Sequence, residues 1–130
     1  MPRAPATVLV VDDDLLVAEL LQASLEMAGY AVRHAPDGAA ALTAVHSDPP
    51  DLVLLDVMMP DVDGWTVLAQ LREDRSTASL PVVLLTGKSM PADQLRGWNL
   101  GASGFLAKPF SSEELLGKVD QVLLDAQDEL

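Results

Sequence analysis

Apolar positions along the chain alternate between two patterns. Short unbroken runs recur at residues 8–11, 52–55 and 82–85, with weaker ones at 30–34 and 104–107. Runs of this length, bounded by proline, glycine or aspartate, read as strands buried on both faces. The segments between them keep helical spacing. Val17, Leu20, Leu21, Leu25 and Ala28 form one predicted inner face, stopped by Gly29. An alanine-rich helix over 39–45 follows Pro36-Asp37-Gly38. Trp65, Leu68 and Leu71 mark a third helix, capped by Asp63. Pro91 opens a fourth, with Leu95 and Trp98 turned inward and Gly101 ending it. The last, 112–127, begins with a Ser111–Glu114 capping box and buries Leu115, Val119, Val122 and Leu123. Five strands alternating with five helices predict parallel βα units in one doubly wound α/β sheet. Such sheets bind ligands at the carboxyl ends of their strands.

Composition narrows this reading. At 130 residues, 49% of them hydrophobic, the chain suits one domain with a sizeable core. The expected layout is a lead-in at 1–6, the domain over 7–127 and a tail at 128–130. Cysteine is absent, which excludes disulfides and thiolate metal sites. No apolar stretch approaches the ~18 residues of a membrane span, and residues 1–7 lack the apolar core of a signal peptide. A soluble cytoplasmic protein is expected. The formal net charge of -12 argues against direct nucleic-acid binding and permits a cationic partner or a divalent metal.

The predicted strand ends gather chemistry on one edge. Asp12, Asp13 and Asp14 follow the first strand, Asp56 the third, Thr86 the fourth, and Lys108 with Pro109 the fifth. The second ends at His34 with nothing obviously chemical beside it. Each residue alone has a plainer reading: helix-capping acids, a turn hydroxyl, a solvated lysine. Their coincidence on one edge weighs against those readings. Clustered carboxylates repel unless one is protonated or a cation lies between them. An all-oxygen donor set selects a hard ion such as Mg²⁺. Beside such an ion Asp56 becomes a usable nucleophile for a phosphoryl group, with Lys108 and Thr86 placed to meet its charge. A glycine-rich phosphate loop, a complete calcium loop after Asp61 and a serine–histidine triad are all missing.

From about Thr7 to Leu124 the chain resembles the receiver domain of two-component response regulators, the CheY-like family. The residues that carry the resemblance are Val11-Asp12-Asp13, the stretch from Leu55 to Gly64 (LDVMMPDVDG), Leu85-Thr86-Gly87, Gly101-Ala102 and Lys108-Pro109-Phe110. The resemblance implies a flavodoxin-like (βα)5 domain of strand order 2-1-3-4-5. It implies that Asp56 is the phosphoacceptor. Asp13, Asp56 and the backbone carbonyl of Met58 would hold Mg²⁺ or Mn²⁺, with Asp12 acting through water. Thr86 and Lys108 would grip the phosphoryl oxygens, Phe105 would be the switch aromatic, and the bond before Pro109 would be cis. The implied donor is a sensor histidine kinase, a histidine phosphotransferase or a small phosphodonor. The implied recipient is a downstream output protein or domain, with a homodimer formed on phosphorylation. The domain would catalyse its own phosphorylation and dephosphorylation rather than act as an enzyme on a separate substrate.

Some positions depart from the family pattern. Ser103-Gly104 replaces two acids common before the switch aromatic, and Gly104 is expected to loosen the fifth strand. Phe105 lacks a hydroxyl, so its switching would rest on burial against exposure. Met58 and Lys88 stand at positions that tune loss of the phosphoryl group, and apolar Met58 predicts a long-lived phosphorylated form. Two rival readings remain: a pseudo-receiver that binds partners without phosphorylation, and a dehalogenase-like phosphatase. The complete set of five site residues opposes the first. Met58, standing where that phosphatase needs a second aspartate, opposes the other.

Overall fold

The computed structural model describes residues 5–59, 63–87 and 91–128. Lys88, residues 60–62 of the acidic motif and most of the lead-in and tail lie outside them. The elements run β1 (Thr7–Val11), α1 (Leu15–Met27), β2 (Ala31–Ala35), α2 (Gly38–Ser47), β3 (Leu52–Asp56), α3 (Gly64–Glu73), β4 (Val82–Thr86), α4 (Pro91–Leu100), β5 (Gly104–Ala107) and α5 (Ser112–Asp128). All pairings are parallel, in the order β2-β1-β3-β4-β5. This is the doubly wound flavodoxin-like architecture expected.

Burial explains the strand sequences. Every residue of β3 and β4 is buried, because helices cover both faces of the sheet. On one face Val53, Leu55, Val82 and Leu84 pack under α2 and α3 through Ala41, Val45, Leu68 and Leu71. On the other, Val8, Val10, Leu52, Leu54 and Val83 pack under α1 and α5 through Leu21, Leu25, Leu115 and Val119. Each fully buried leucine contributes about 2 kcal/mol of transfer free energy, and that burial holds the strand ends in register.

The helix boundaries follow local chemistry. Asp14, Asp37 and Asp63 accept backbone N–H groups at the starts of α1, α2 and α3. At α5 the capping box is reciprocal, with Glu114 N–H donating to Ser111 Oγ and Ser111 N–H to Glu114 Oε1. Gly29 and Gly101 adopt positive φ just past α1 and α4, a conformation that favours glycine.

Several expectations about faces need correction. Leu95 and Trp98 are 61% and 54% exposed, so α4 does not turn them inward; its buried described residue is Gly97. On α1, Leu20 is exposed and Ala18 takes its place in the core. Strand β2 begins one residue later than expected and ends at Ala35. Just before β5, Ser103 is tied to β4: its Oγ accepts from Val82 N–H, and its own N–H donates to the Val82 carbonyl.

Candidate functional site

Parallel register brings the predicted residues to one edge. Val11 pairs with Leu55, so Asp12 emerges beside Asp56; Asp56 pairs with Leu85, so Thr86 is one step further along on the neighbouring strand. Thr86 in turn pairs with Ala107, and its carbonyl accepts from Lys108 N–H at 2.7 Å. Lys108 therefore starts two strand spacings from Asp56, roughly 10 Å away. A long flexible stem is needed to cross that gap. The lysine does so, placing Nζ 2.9 Å from Asp12 Oδ2 and 3.4 Å from Asp56 Oδ2. The Lys108–Pro109 peptide bond is cis.

Asp12 and Asp56 are 0% and 4% exposed, whereas Asp13 is open to solvent. Oxygens of all three lie within 4.8 Å of one another. Asp12 is braced by Asp14 N–H (2.9 Å) and Asp56 by Met58 N–H (3.0 Å). Burial raises the Asp56 pKa above the ordinary carboxylate value, against the Met58 N–H and the Lys108 charge, while Asp12 adds to the rise. For Lys108, burial acts to lower the pKa, but the hydrogen bond to Asp12 and the charges of both acids outweigh it, so the ammonium is held above its usual range. Two buried acids, one exposed acid and one lysine leave negative charge in excess. All three carboxylates offer only oxygen, so the pocket fits a hard divalent cation, with one side open to water.

The structure also shows how close the backbone packs behind Asp56. A Cβ at Gly64, the first residue of α3, would come 2.4 Å from the Asp56 carbonyl oxygen, so only glycine lets α3 start there. Met58 is exposed at the rim. Phe105 is half-buried on β5, against Trp98 of α4. One contact was missed from sequence: His34 Nε2–H donates to the Asp12 carbonyl at 2.8 Å, bracing the first acidic loop from β2. Its only sequence signal is a polar ring next to the end of β2, where Arg33 is polar as well.

A doubly wound α/β frame with carboxylates, a hydroxyl and a lysine on its carboxyl edge defines a class of acidic, cation-ready pockets. The chain belongs to the response regulator receiver domain family, whose model matches residues 8–120. It is 42% identical over 123 residues to the DNA-binding dual master transcriptional regulator RpaA of Synechocystis, covering 95% of this chain and 49% of that protein. It is 44% identical over 119 residues to the response regulator MprA of Mycolicibacterium vanbaalenii, covering 92% and 51%. The chain thus spans about half the length of the curated relatives it matches. Among solved structures, the chemotaxis protein CheY4 of Vibrio cholerae superposes with a TM-score of 0.88 at 34% identity, covering 92% of this chain and 99% of that one. The signal receiver domain of a signal transduction histidine kinase from Syntrophus aciditrophicus gives 0.85 at 33% identity, covering 92% and 91%. This is a receiver domain of the two-component type. No helix among the described residues is long and apolar enough to cross a membrane.

Proposed function

We propose that residues 7–127 act as a phosphoacceptor switch, in which Asp56 takes a phosphoryl group from a phosphohistidine. The observation that carries this reading is the convergence of Asp12, Asp13 and Asp56 within 4.8 Å, with Lys108 reaching two of them. Asp12, Asp13, Asp56 and the Met58 carbonyl would hold Mg²⁺ or Mn²⁺, which when bound neutralises charge on the transferring group. Asp56 is deprotonated and attacks phosphorus through one carboxylate oxygen, the P–N bond to the donor imidazole breaks, and the electron pair leaves with the ring. Lys108 swings from Asp56 towards the incoming phosphoryl oxygens, and the Thr86 hydroxyl donates to another of them. The added charge, about −2 at neutral pH, draws Thr86 towards the pocket. Phe105 then packs inward, reshaping the surface formed by α4, β5 and α5.

The partners this implies are a sensor histidine kinase or histidine phosphotransferase upstream and an output protein or domain downstream, with homodimerisation on phosphorylation. The apolar groove of about 460 Å³ beside Lys108, lined by Val17, Leu20, Phe110 and Leu115 among others, suits a docking donor. A cytoplasmic location is part of the same reading. A net charge of -12 supports signalling through protein contact rather than direct DNA binding by this segment.

Incubation with Mg²⁺ and acetyl phosphate, followed by intact mass measurement, tests the reading. One added phosphoryl group, lost in Asp56→Asn, is expected. No adduct would favour the pseudo-receiver, and steady phosphate release without an adduct would favour a phosphatase.

A further inference from the structure

Gly97 lies buried in α4, over the register partners Leu84 and Phe105. A Cβ at this position would come 2.4 Å from Phe105 Cζ, 2.6 Å from Cε1 and 2.9 Å from Leu84 Cδ1. Non-bonded carbons settle near 3.5–4.0 Å, so the tip of the ring fills the space that a side chain on α4 would take. Trp98, the next residue, meets the same ring edge-on, with centroids 5.0 Å apart and planes at 76°. Glycine inside a helix is unfavourable relative to alanine, so the helix does not account for it; the ring does. Thr86 follows Leu84 by two residues and so lies on the same sheet face as the ring.

We propose that Gly97 is a positioning residue for Phe105: its missing side chain is the berth in which the ring lies when packed against the sheet, and a methyl group there turns the ring outward. The inference rests on Phe105 being the aromatic that follows Thr86 in the proposed switch. An inward ring and an occupied phosphoryl site favour each other, so closing the berth weakens binding at the site by the same factor. Gly97 has no side chain to reach Asp56, so the effect must pass through the ring.

The test is a titration of the intact chain with beryllofluoride, a phosphoryl analogue, in Mg²⁺. Tryptophan emission reports it, because Trp98 is one of only two tryptophans. A wild type that gives no Asp56-dependent response would sink the switch reading itself. Given that response, Gly97→Ala is expected to bind about fivefold or more weakly, with affinity for Mg²⁺ alone unchanged. The loss should vanish when the same substitution is made in Phe105→Ala. Unchanged or tighter binding by Gly97→Ala, or an equal loss in the Phe105→Ala background, overturns the proposal while leaving the switch intact. If Gly97→Ala does not fold, Phe105→Leu is compared with the double variant. Equal folding and binding support the berth, and an unfolded double variant assigns the conflict to Leu84 and overturns it.

Discussion

Replacing Lys108 by methionine keeps an unbranched stem one atom shorter and removes the cation that bridges the buried acids. Its ammonium is 2.9 Å from Asp12 and 3.4 Å from Asp56, on a side chain only 26% exposed, so solvent screens it weakly. At an effective dielectric constant of about 20 these attractions are about 6 and 5 kcal/mol. The acids lie within 4.8 Å of one another, and on the same scale their repulsion is about 3.5 kcal/mol or more. Without the lysine, the least costly escape is for one carboxyl to bind a proton. That escape caps the loss at about 1.4 kcal/mol per pH unit above an ordinary pKa near 4, hence about 4 kcal/mol at pH 7 and about 1.5 kcal/mol at pH 5.

The sign follows from linkage. Burial already raises the Asp56 pKa, and losing Lys108 raises it further. A carboxyl raised in the folded state binds more protons there than in the unfolded chain, so the variant loses stability as pH rises from about 4 towards that raised pKa. In the wild type, Lys108 is held above its usual range and stays charged throughout this window. Urea unfolding with a chelator present measures the difference: for a slope of about 2 kcal/mol per molar, the midpoint falls by up to about 2 M at pH 7 and by less than 1 M at pH 5. Excess Mg²⁺ should restore more stability to the variant than to the wild type, because the cation binds the folded pocket. A midpoint loss that is equal at both pH values, or absent at both, would refute the charge balance described here.

Two further perturbations read other parts of the domain. Met58→Asn gives the exposed rim a hydrogen-bonding group for water, and is expected to shorten the life of phosphorylated Asp56, followed as loss of the added mass with time; an unchanged decay rate counts against a role for Met58. His46 joins α2 to the residue after α3, with Nε2 2.9 Å from Asp74 Oδ2. The bond to Asp74 raises the imidazole pKa and helps, with Ser76, to push Asp74 down to about 2. The histidine's contribution is therefore full below its ordinary pKa and lost as pH rises through the raised one; that of Asp74 is lost only in acid, as pH falls towards about 2. His46→Gln should lower Tm slightly at mildly acidic pH and not at alkaline pH, since the pair is exposed.

Much of the frame was legible in the chain itself. Short apolar runs alternating with helical segments read as parallel strands, and a polar residue at the end of such a run emerges at the carboxyl edge of the sheet. Asp12, Asp56, Thr86 and Lys108 could therefore be placed on one edge from local pattern alone. Capping acids were equally visible, because a cap acts within three or four residues. The faces of α1 and α4 were not. Leu15, Leu16, Val17, Leu20 and Leu21 make α1 apolar almost all round, so periodicity alone cannot choose its inner side. Among the described residues of α4 the fully buried one is Gly97, which carries no hydropathy signal, and exposed Leu95 and Trp98 supplied a false one.

What the amino-acid order settled by itself was the alternation of elements, their caps and the chemistry at each strand end, because these depend on neighbours close along the chain. Tertiary structure alone decided the distances. Lys108 meets Asp12 across 96 residues, His34 braces the Asp12 loop from another strand, and the Phe105 ring lies where α4 has no side chain. Such contacts depend on strand order and helix docking, which the burial of the whole core determines and no local segment encodes.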